Sequence, residues 1–262
     1  MHAFDVFSHY ERTHWRLTDI DFDKVDRSLV EPEYVTLAKS AVMGECNSIA
    51  ATHGFFNEFV DDYDFSAFAA IWGYQELQHH YAFKTWLRAI DEDVDERPVE
   101  AMREPYAPGS TPSATLATNI ISELTVNHVY RAVADWVREP VLQDILRRAS
   151  RDEAGHAREF IHYTKERLAR RPQELPSVLE TLYVYTSEAR IKHPVSLFKD
   201  SLVEGGDHET IDTGFEVFLE KVADEDELQK LHAKVRSAFG SMTGLDLTTG
   251  ARIRRALAGA LS

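Results

Sequence analysis

The sequence has a single cysteine, Cys46, among its 262 residues. One cysteine cannot form an internal disulfide, which favours a reducing compartment. It also cannot supply the thiolate cluster of a structural zinc site or an iron–sulfur centre. We therefore look for carboxylate and imidazole ligands, and we expect Cys46 to be an inert thiol in the core.

Positive charge is also scarce, because 29 lysines and arginines face 44 acidic residues and the net charge is −15. Phosphate contacts need clustered basic residues, so nucleic acid is excluded as the main partner. The chain has no apolar run as long as a membrane span, and its first residues lack the apolar block of a signal peptide. We expect a cytoplasmic protein with no membrane span.

Helical periodicity dominates the sequence, and no convincing pair of strands is present. The prolines between residues 98 and 112 interrupt this pattern in a segment too long for a tight helical hairpin. The chain is therefore predicted to be all-α, with residues 1–262 forming a single ferritin-like four-helix bundle with a long crossover between helices 2 and 3 and additional C-terminal helices. The predicted helices span residues 32–58, 65–90, 113–137 and 140–171, followed by shorter ones at 175–190, 208–222 and 225–240.

Two predicted helices carry a Glu-x-x-His motif on an apolar face. Glu76 and His79 lie in YQELQHHYAF, and Glu153 and His156 lie in RDEAGHAREF. One helical turn separates the members of each pair, so both side chains can reach the same point. A charged residue on an apolar face is costly unless it is paired or binds a metal.

The other two long helices each carry one glutamate on an apolar face, Glu45 and Glu123. The spacing repeats, since Glu45 precedes Glu76 by 31 residues (76 − 45) and Glu123 precedes Glu153 by 30 (153 − 123). Four carboxylates and two imidazoles are the ligand set of di-iron carboxylate bundles. We predict two metal ions, iron or manganese, with Glu45 and Glu123 each binding one ion and with Glu76 and Glu153 bridging them.

The motifs and the C-terminal region resemble those of the acyl-ACP desaturases, the soluble di-iron fatty-acid desaturases. The first family motif is matched by Trp72, Glu76 and His79, although Gln75 stands where the family has an acid. The remaining matching segments are Asp152, Glu153, His156, Arg158 and Glu159 in the second motif, HPVSLFKD at 193–200, and TGLDLTTGARIRRALA at 243–258.

This resemblance implies an O2-dependent oxidoreductase that inserts a double bond into an acyl chain carried on acyl carrier protein. It implies two Fe ions, with Mn or mixed Fe/Mn as alternatives, and a homodimer. The chain has no Gly-rich nucleotide fingerprint and no cysteine cluster, so electrons are expected from a separate ferredoxin-like donor. Three basic islands, at 147–151, 165–171 and 252–255, are either docking sites for acidic partners or ordinary charge clusters at helix ends.

The resemblance also assigns residues around the ligands. Asp152 is expected to orient His79, and Trp72 is expected to pack beneath the site or to take part in electron transfer. The family has a threonine near the oxygen site where this chain has Val126, and Thr125, one residue earlier, is a candidate for a position behind the ligands. His80 is predicted to point off the ligand face, as a surface residue or one behind the ligands.

Two alternatives stay open at this point. The altered motifs and Val126 also suit a di-metal oxygenase that hydroxylates or N-oxygenates another small molecule. A non-catalytic iron-binding or storage protein is the third reading, although storage does not require the long region beyond residue 175.

Overall fold

The computed structural model describes residues 2–94, 109–189, 191, 208–224 and 226–261. Within these residues the chain is all-α and contains no strand. The helices are α1 (His2–Thr13), α2 (Pro32–Cys46), α3 (Ser48–Glu58), α4 (Tyr63–Ala89), α5 (Pro112–Trp136), α6 (Pro140–Arg170), α7 (Leu175–Thr186), α8 (His208–Lys221), α9 (Glu227–Thr243) and α10 (Gly250–Ala260). None of these helices combines the length and the apolar character needed to cross a bilayer.

The first long helix is not continuous, contrary to the prediction for residues 32–58. The chain breaks at Asn47, which separates α2 from α3. The Asn47 N–H donates to the Gly44 carbonyl, three residues back, instead of continuing the regular four-residue pattern. Glu45 therefore lies at the end of α2 rather than in the middle of a long helix.

Local side-chain chemistry explains where three of the long helices begin. Thr111 caps α5, since its Oγ1 accepts from the Ala114 N–H at 3.1 Å. Pro140 occupies the first turn of α6, where its missing N–H leaves no helical bond unmade. Asp62 caps α4, because its Oδ1 accepts from the Phe65 N–H at 3.1 Å.

Two helices were not predicted at all. α1 mixes charged and aromatic residues and has only Ala3 and Val6 buried, so its apolar periodicity is weak. α10 buries only Ile253. Short elements with one or two buried residues carry little periodic signal, and packing against other elements decides whether they form a helix.

The ligand-bearing helices form two hairpins around a common core. α2, α3 and α4 form the first, and α5 and α6 form the second. Below the predicted site the hairpins meet in an aromatic cluster, in which Phe160 lies 5.8 Å from Phe55 and 5.3 Å from Phe68, between ring centroids. Each such pair contributes about 0.5–1.5 kcal/mol beyond its buried area. These ring contacts therefore join the first hairpin to the second.

The remaining helices cover these hairpins. α1 packs on α4, α7 on α5, α8 on α2, and α10 on α7. Gly214 permits the close approach of α8, because a Cβ there would lie 2.2 Å from the Cβ of Ser40. Most of the predicted crossover, and the whole HPVSLFKD segment at 193–200, lie outside the described residues. The ferritin-like bundle with its crossover therefore stays a prediction.

Candidate metal centre

The six predicted ligands come together in the core, and all of them are buried. They form two groups that share two glutamates. Within each group, the ligand atoms lie within 4.8 Å of one another. One group contains Glu45, Glu76, His79 and Glu153, and the other contains Glu76, Glu123, Glu153 and His156. Each group can hold a metal ion.

His79 directs Nδ1 into the first group. This atom lies 3.6 Å from Glu45 Oε2, 3.6 Å from Glu76 Oε2 and 3.3 Å from Glu153 Oε1. The ring is fully buried between α4, α2 and α6. Its Nδ1 therefore faces three carboxylates at once, an arrangement that suits a shared cation.

His156 directs Nδ1 into the second group in the same way. It lies 2.9 Å from Glu76 Oε1, 3.3 Å from Glu123 Oε2 and 3.1 Å from Glu153 Oε2. Glu76 and Glu153 thus place one oxygen near each imidazole. This is the position expected of bridging carboxylates, while Glu45 and Glu123 each face only one imidazole.

The charges of the cluster are strongly coupled. Burial and the neighbouring Glu76 raise the pKa of Glu45 well above its usual range, and burial and Glu153 do the same for Glu123. Burial alone would lower the pKa of both imidazoles, but the surrounding carboxylates outweigh it and raise the pKa of His79 and of His156. Glu76 shows the opposite result, since the nearby His156 overcomes burial and lowers its pKa. Protons therefore compete with cations for this site.

Hydrogen bonds among the described residues do not satisfy the cluster. Glu76 Oε1, Glu153 Oε1 and His79 Nδ1 are buried and have no partner in hydrogen-bonding geometry in that part of the chain. A buried polar atom without a partner costs about 1–3 kcal/mol. A metal ion bound by carboxylate oxygens and imidazole nitrogens would satisfy all three atoms, so the donor set fits such an ion.

The outer carboxylates each receive one hydrogen bond from an aromatic side chain. Tyr130 donates its hydroxyl proton to Glu45 Oε1. Trp72 donates Nε1–H to Glu123 Oε1 at 3.0 Å and also packs against Phe55 and Phe160. Trp72 therefore packs beneath the site, as expected, and in addition holds a ligand. The Tyr130 contact was not predicted, because it joins α5 to α2.

Each imidazole has a second partner on the side away from the ligands. His79 Nε2 lies 3.1 Å from Asp152 Oδ2, which is the contact that the resemblance implied. His156 Nε2 lies 2.8 Å from Gln75 Oε1. These contacts leave Nδ1 of both rings directed at the cluster.

The segment that follows α1 covers this outer side, which the sequence analysis missed. Trp15 donates Nε1–H to Asp152 Oδ2 at 2.7 Å, and its ring stacks with that of His79 at 6.2 Å. His14 lies between Asp152 and Gln75, with Nδ1 at 3.6 Å and 3.4 Å from their side chains. The only sequence signal was the aromatic and histidine content of the first residues.

Three neighbouring residues point away from the ligands. Thr125, a candidate for the position behind the ligands, is buried, and its hydroxyl bonds to the Ile121 carbonyl and to the Tyr185 hydroxyl at 2.6 Å. His80 is buried rather than at the surface, with Nδ1 at 3.0 Å from the Val42 carbonyl. Cys46 lies in the core, and its Sγ donates to the Met43 carbonyl.

A cavity of about 140 Å³ opens from the cluster between α2, α5 and α8. Glu45, Glu76, Glu123 and Glu153 lie at its inner end. Among the described residues its walls are mainly apolar and contain no lysine, arginine or histidine; they include Leu37, Ala41, Phe83, Val126, Val129 and Phe215. Val126, and not Thr125, faces the space next to the ligands.

Two polar side chains on the cavity wall have no partner among the residues that the structure describes. Both polar atoms of the Asn47 amide and the Ser48 hydroxyl are buried without a hydrogen bond to these residues. They follow Glu45 directly, at the break between α2 and α3. The cavity therefore combines apolar walls with a short polar strip near the cluster.

The basic islands are partly neutralised by acidic neighbours. Arg148 donates to Asp144 at 2.8 Å, and Arg167 donates to Glu174 at 2.8 Å. Arg170 pairs with Asp62 at 3.1 Å. Part of the first two islands is thus paired within the protein, and the second lies at the C-terminal end of α6, as the interpretation as a charge cluster at a helix end requires, whereas the first lies in the interior of α6.

Comparison with protein-family models and with curated proteins finds no match for this chain.

Proposed function

We propose that this chain is an O2-dependent di-iron oxidoreductase that inserts a double bond into an acyl chain carried on acyl carrier protein. The observation that carries the proposal is a buried set of four carboxylates and two imidazoles at the inner end of an apolar cavity. When bound, two iron ions supply the activation of O2 and the removal of hydrogen from unactivated C–H bonds. Mn or a mixed pair fits the same ligands.

Charge balance is consistent with two ions. Four ionised glutamates carry four negative charges, which two divalent cations neutralise while both histidines are neutral ligands. With a single divalent ion, protons would have to neutralise the remaining glutamate charges. Glu76 and Glu153 belong to both groups and are suited to join the two ions.

The protein residues position the ligands and keep the reacting volume dry. Asp152 accepts from His79 Nε2–H, and the resulting tautomer presents Nδ1 to the ion. Tyr130 and Trp72 fix the outer carboxylates by hydrogen bonds. The buried apolar walls exclude water, so that oxidising chemistry is directed at a bound chain and not at solvent.

The cavity lining favours an uncharged apolar substrate. Its inner end is acidic and the described part of its walls carries no basic side chain, so a free carboxylate would find no protein counter-charge there. An acyl chain that enters with its methylenes satisfies this condition, while the carrier stays outside. A ferredoxin-like electron donor and a homodimer complete the proposal, and both follow from the family resemblance alone.

One observation favours the alternative of a di-metal oxygenase that hydroxylates or N-oxygenates another small molecule. Asn47 and Ser48 offer buried hydrogen-bonding groups beside Glu45. A purely aliphatic chain would leave these groups unsatisfied, whereas a substrate with a neutral polar group would pair with them.

Product analysis distinguishes these functions. The iron-loaded protein is incubated with a reductant, O2 and stearoyl- or palmitoyl-carrier protein, and the acyl chain is analysed by mass spectrometry. Loss of two hydrogens supports desaturation, and gain of one oxygen supports hydroxylation. His156→Ala serves as the control without a complete ligand set. Unchanged acyl chains from a protein that has bound two iron ions would contradict the proposed reaction on these substrates.

A further inference from the structure

The two imidazoles of the cluster have partners of different charge on their outer side. His79 Nε2 lies 3.1 Å from Asp152 Oδ2, a carboxylate oxygen. His156 Nε2 lies 2.8 Å from Gln75 Oε1, an amide oxygen. Both rings keep Nδ1 for the centre, but only His79 has a carboxylate behind it.

The orientation of the Gln75 amide follows from a chain of hydrogen bonds. Gln78 Nε2 donates to the Trp15 carbonyl at 2.7 Å, so Gln78 Oε1 accepts from His14 Nε2 at 3.0 Å. Neutral His14 then accepts at Nδ1 from Gln75 Nε2, at 3.4 Å. The Gln75 oxygen is left to face His156.

One oxygen of Asp152 has two donors. Trp15 Nε1–H donates to the same oxygen that faces His79, at 2.7 Å. The acceptor behind His79 is thus a carboxyl group, which can carry a full negative charge, whereas the Gln75 amide has no charge at any pH.

The outer carboxylates of the two ligand groups have equivalent hydrogen-bond partners. Glu45 receives one hydrogen bond from the neutral Tyr130 hydroxyl, and Glu123 receives one from the neutral Trp72 indole. Glu76 and Glu153 are common to both groups. Within the described residues, the charge difference in the direct hydrogen bonds to the ligands is thus confined to the acceptors behind the two imidazoles.

We infer that the two ion positions are unequal, with the ion at His79 bound more tightly than the ion at His156, and that Gln75 is the positioning residue that keeps the second position weaker. This inference rests on the proposed metal centre. A carboxylate behind an imidazole makes that ring a more basic ligand and adds negative charge near the cation, whereas an amide only orients the ring. Outer partners of this kind change metal affinity by about 10- to 100-fold.

The test uses the full chain with one group disabled at a time. Glu123→Ala keeps the group that contains His79, and Glu45→Ala keeps the group that contains His156. The pair is matched, because each variant loses one outer carboxylate that had one neutral donor. Calorimetric titration with Mn²⁺ or Co²⁺ should give one ion per chain in both variants, bound about 10- to 100-fold more tightly in Glu123→Ala.

Exchanging the charges behind the two imidazoles tests whether these charges cause the difference in metal affinity. Gln75→Glu added to Glu45→Ala should tighten binding by about 10-fold or more, and Asp152→Asn added to Glu123→Ala should weaken it by a similar factor. Both substitutions nearly preserve side-chain shape. Gln78→Glu is the control, since it adds a charge to the same network without contacting a ligating imidazole, and it should change affinity by less than about 3-fold.

Each outcome has a separate meaning. If the unmodified chain binds no divalent ion, the proposed metal centre is wrong. If it binds two ions but the two single-group variants have equal affinities, the centre stands and this inference is wrong. The inference also fails if Gln78→Glu acts as strongly as Gln75→Glu, because the effect would then be one of general charge.

Discussion

The two helical hairpins carry ligands at almost the same spacing, yet they differ in structure. In α5 and α6 both helices are continuous, and Glu123 and Glu153 lie in their interiors. In the first hairpin the chain breaks at Asn47, two residues after Glu45, and the cavity passes beside this break. Equal spacing of ligands therefore does not produce equal walls around a site.

The two hairpins therefore form walls of different kinds around the site. The second one provides an unbroken wall, in which side chains such as Thr125 are used to bind α7. The first one provides the irregular wall, with unpaired polar groups next to a ligand. Irregular backbone with unsatisfied polar atoms is characteristic of functional sites, where stability is given up for access.

The largest expected effect comes from removing a ligand shared by both hairpins. Glu153→Ala should weaken the binding of both ions by more than about 100-fold and abolish activity, and His156→Ala should do so for one ion. The fold should survive, since the apolar helix faces supply most of the stability. Elemental analysis after reconstitution, together with circular dichroism, measures both effects.

His80→Ala is the matched control for His156→Ala, because His80 is a buried histidine that bonds to the Val42 carbonyl instead of the cluster. Metal content should stay nearly unchanged, with a stability loss of about 1–3 kcal/mol from the lost hydrogen bond and packing. If His80→Ala removes the metal while His156→Ala retains two ions and full turnover, the ligand assignment is wrong.

A change of pH should affect both hairpins together. Glu45, Glu123, His79 and His156 all have a raised pKa, so without a metal each holds its proton to a higher pH than an exposed group of its kind. Since the ligands must lose these protons, metal affinity should rise with increasing pH, and metal binding should release protons. Calorimetry in buffers of different ionisation enthalpy counts the protons. Affinity that is independent of pH would contradict the proton assignment.

The next effect concerns the cavity that lies between the hairpins. Val126→Phe fills space beside the ligands and should reduce kcat/KM for the acyl substrate by about 10- to 100-fold while both ions remain bound. Val184→Phe is the control, because Val184 is a helical valine that is 54% exposed. Steady-state kinetics with metal analysis checks both variants. Equal activity of Val126→Phe and Val184→Phe would show that the substrate does not use this cavity.

The smallest effect should come from regularising the broken wall. Asn47→Ala removes a buried amide without partners and adds a better helix former between α2 and α3. The free energy of unfolding should increase by about 1 kcal/mol. Urea denaturation measures this change. A loss of stability instead would mean that the amide is satisfied in the folded protein.

The ligand positions were accessible from sequence because they depend on local geometry. A spacing of three residues aligns Glu76 with His79 and Glu153 with His156 on any regular helix, whatever surrounds it. The apolar neighbours then mark that face as buried. The same reasoning located the long helices from α4 to α6, whose starts lie within two residues of the predicted ones.

Contacts between distant segments were not accessible in this way. Three such contacts join residues more than 75 positions apart: Gln75 with His156, Tyr130 with Glu45, and Trp15 with Asp152. Trp15 also lies in a segment for which no element was predicted. Thr125 and Val126 are neighbours in sequence but have different surroundings. Because α7 packs on α5, the Thr125 hydroxyl bonds to the Tyr185 hydroxyl, whereas Val126 faces the cavity.

The sequence by itself thus determined which six side chains share inward helix faces, because a helix has a fixed period of 3.6 residues. The tertiary structure alone decided which groups stand behind them, where the first long helix breaks and which wall the cavity follows. The reason is that helical periodicity sets the direction of a side chain relative to its own axis. Its partner depends on how separate helices, brought together by burial of their apolar faces, happen to pack.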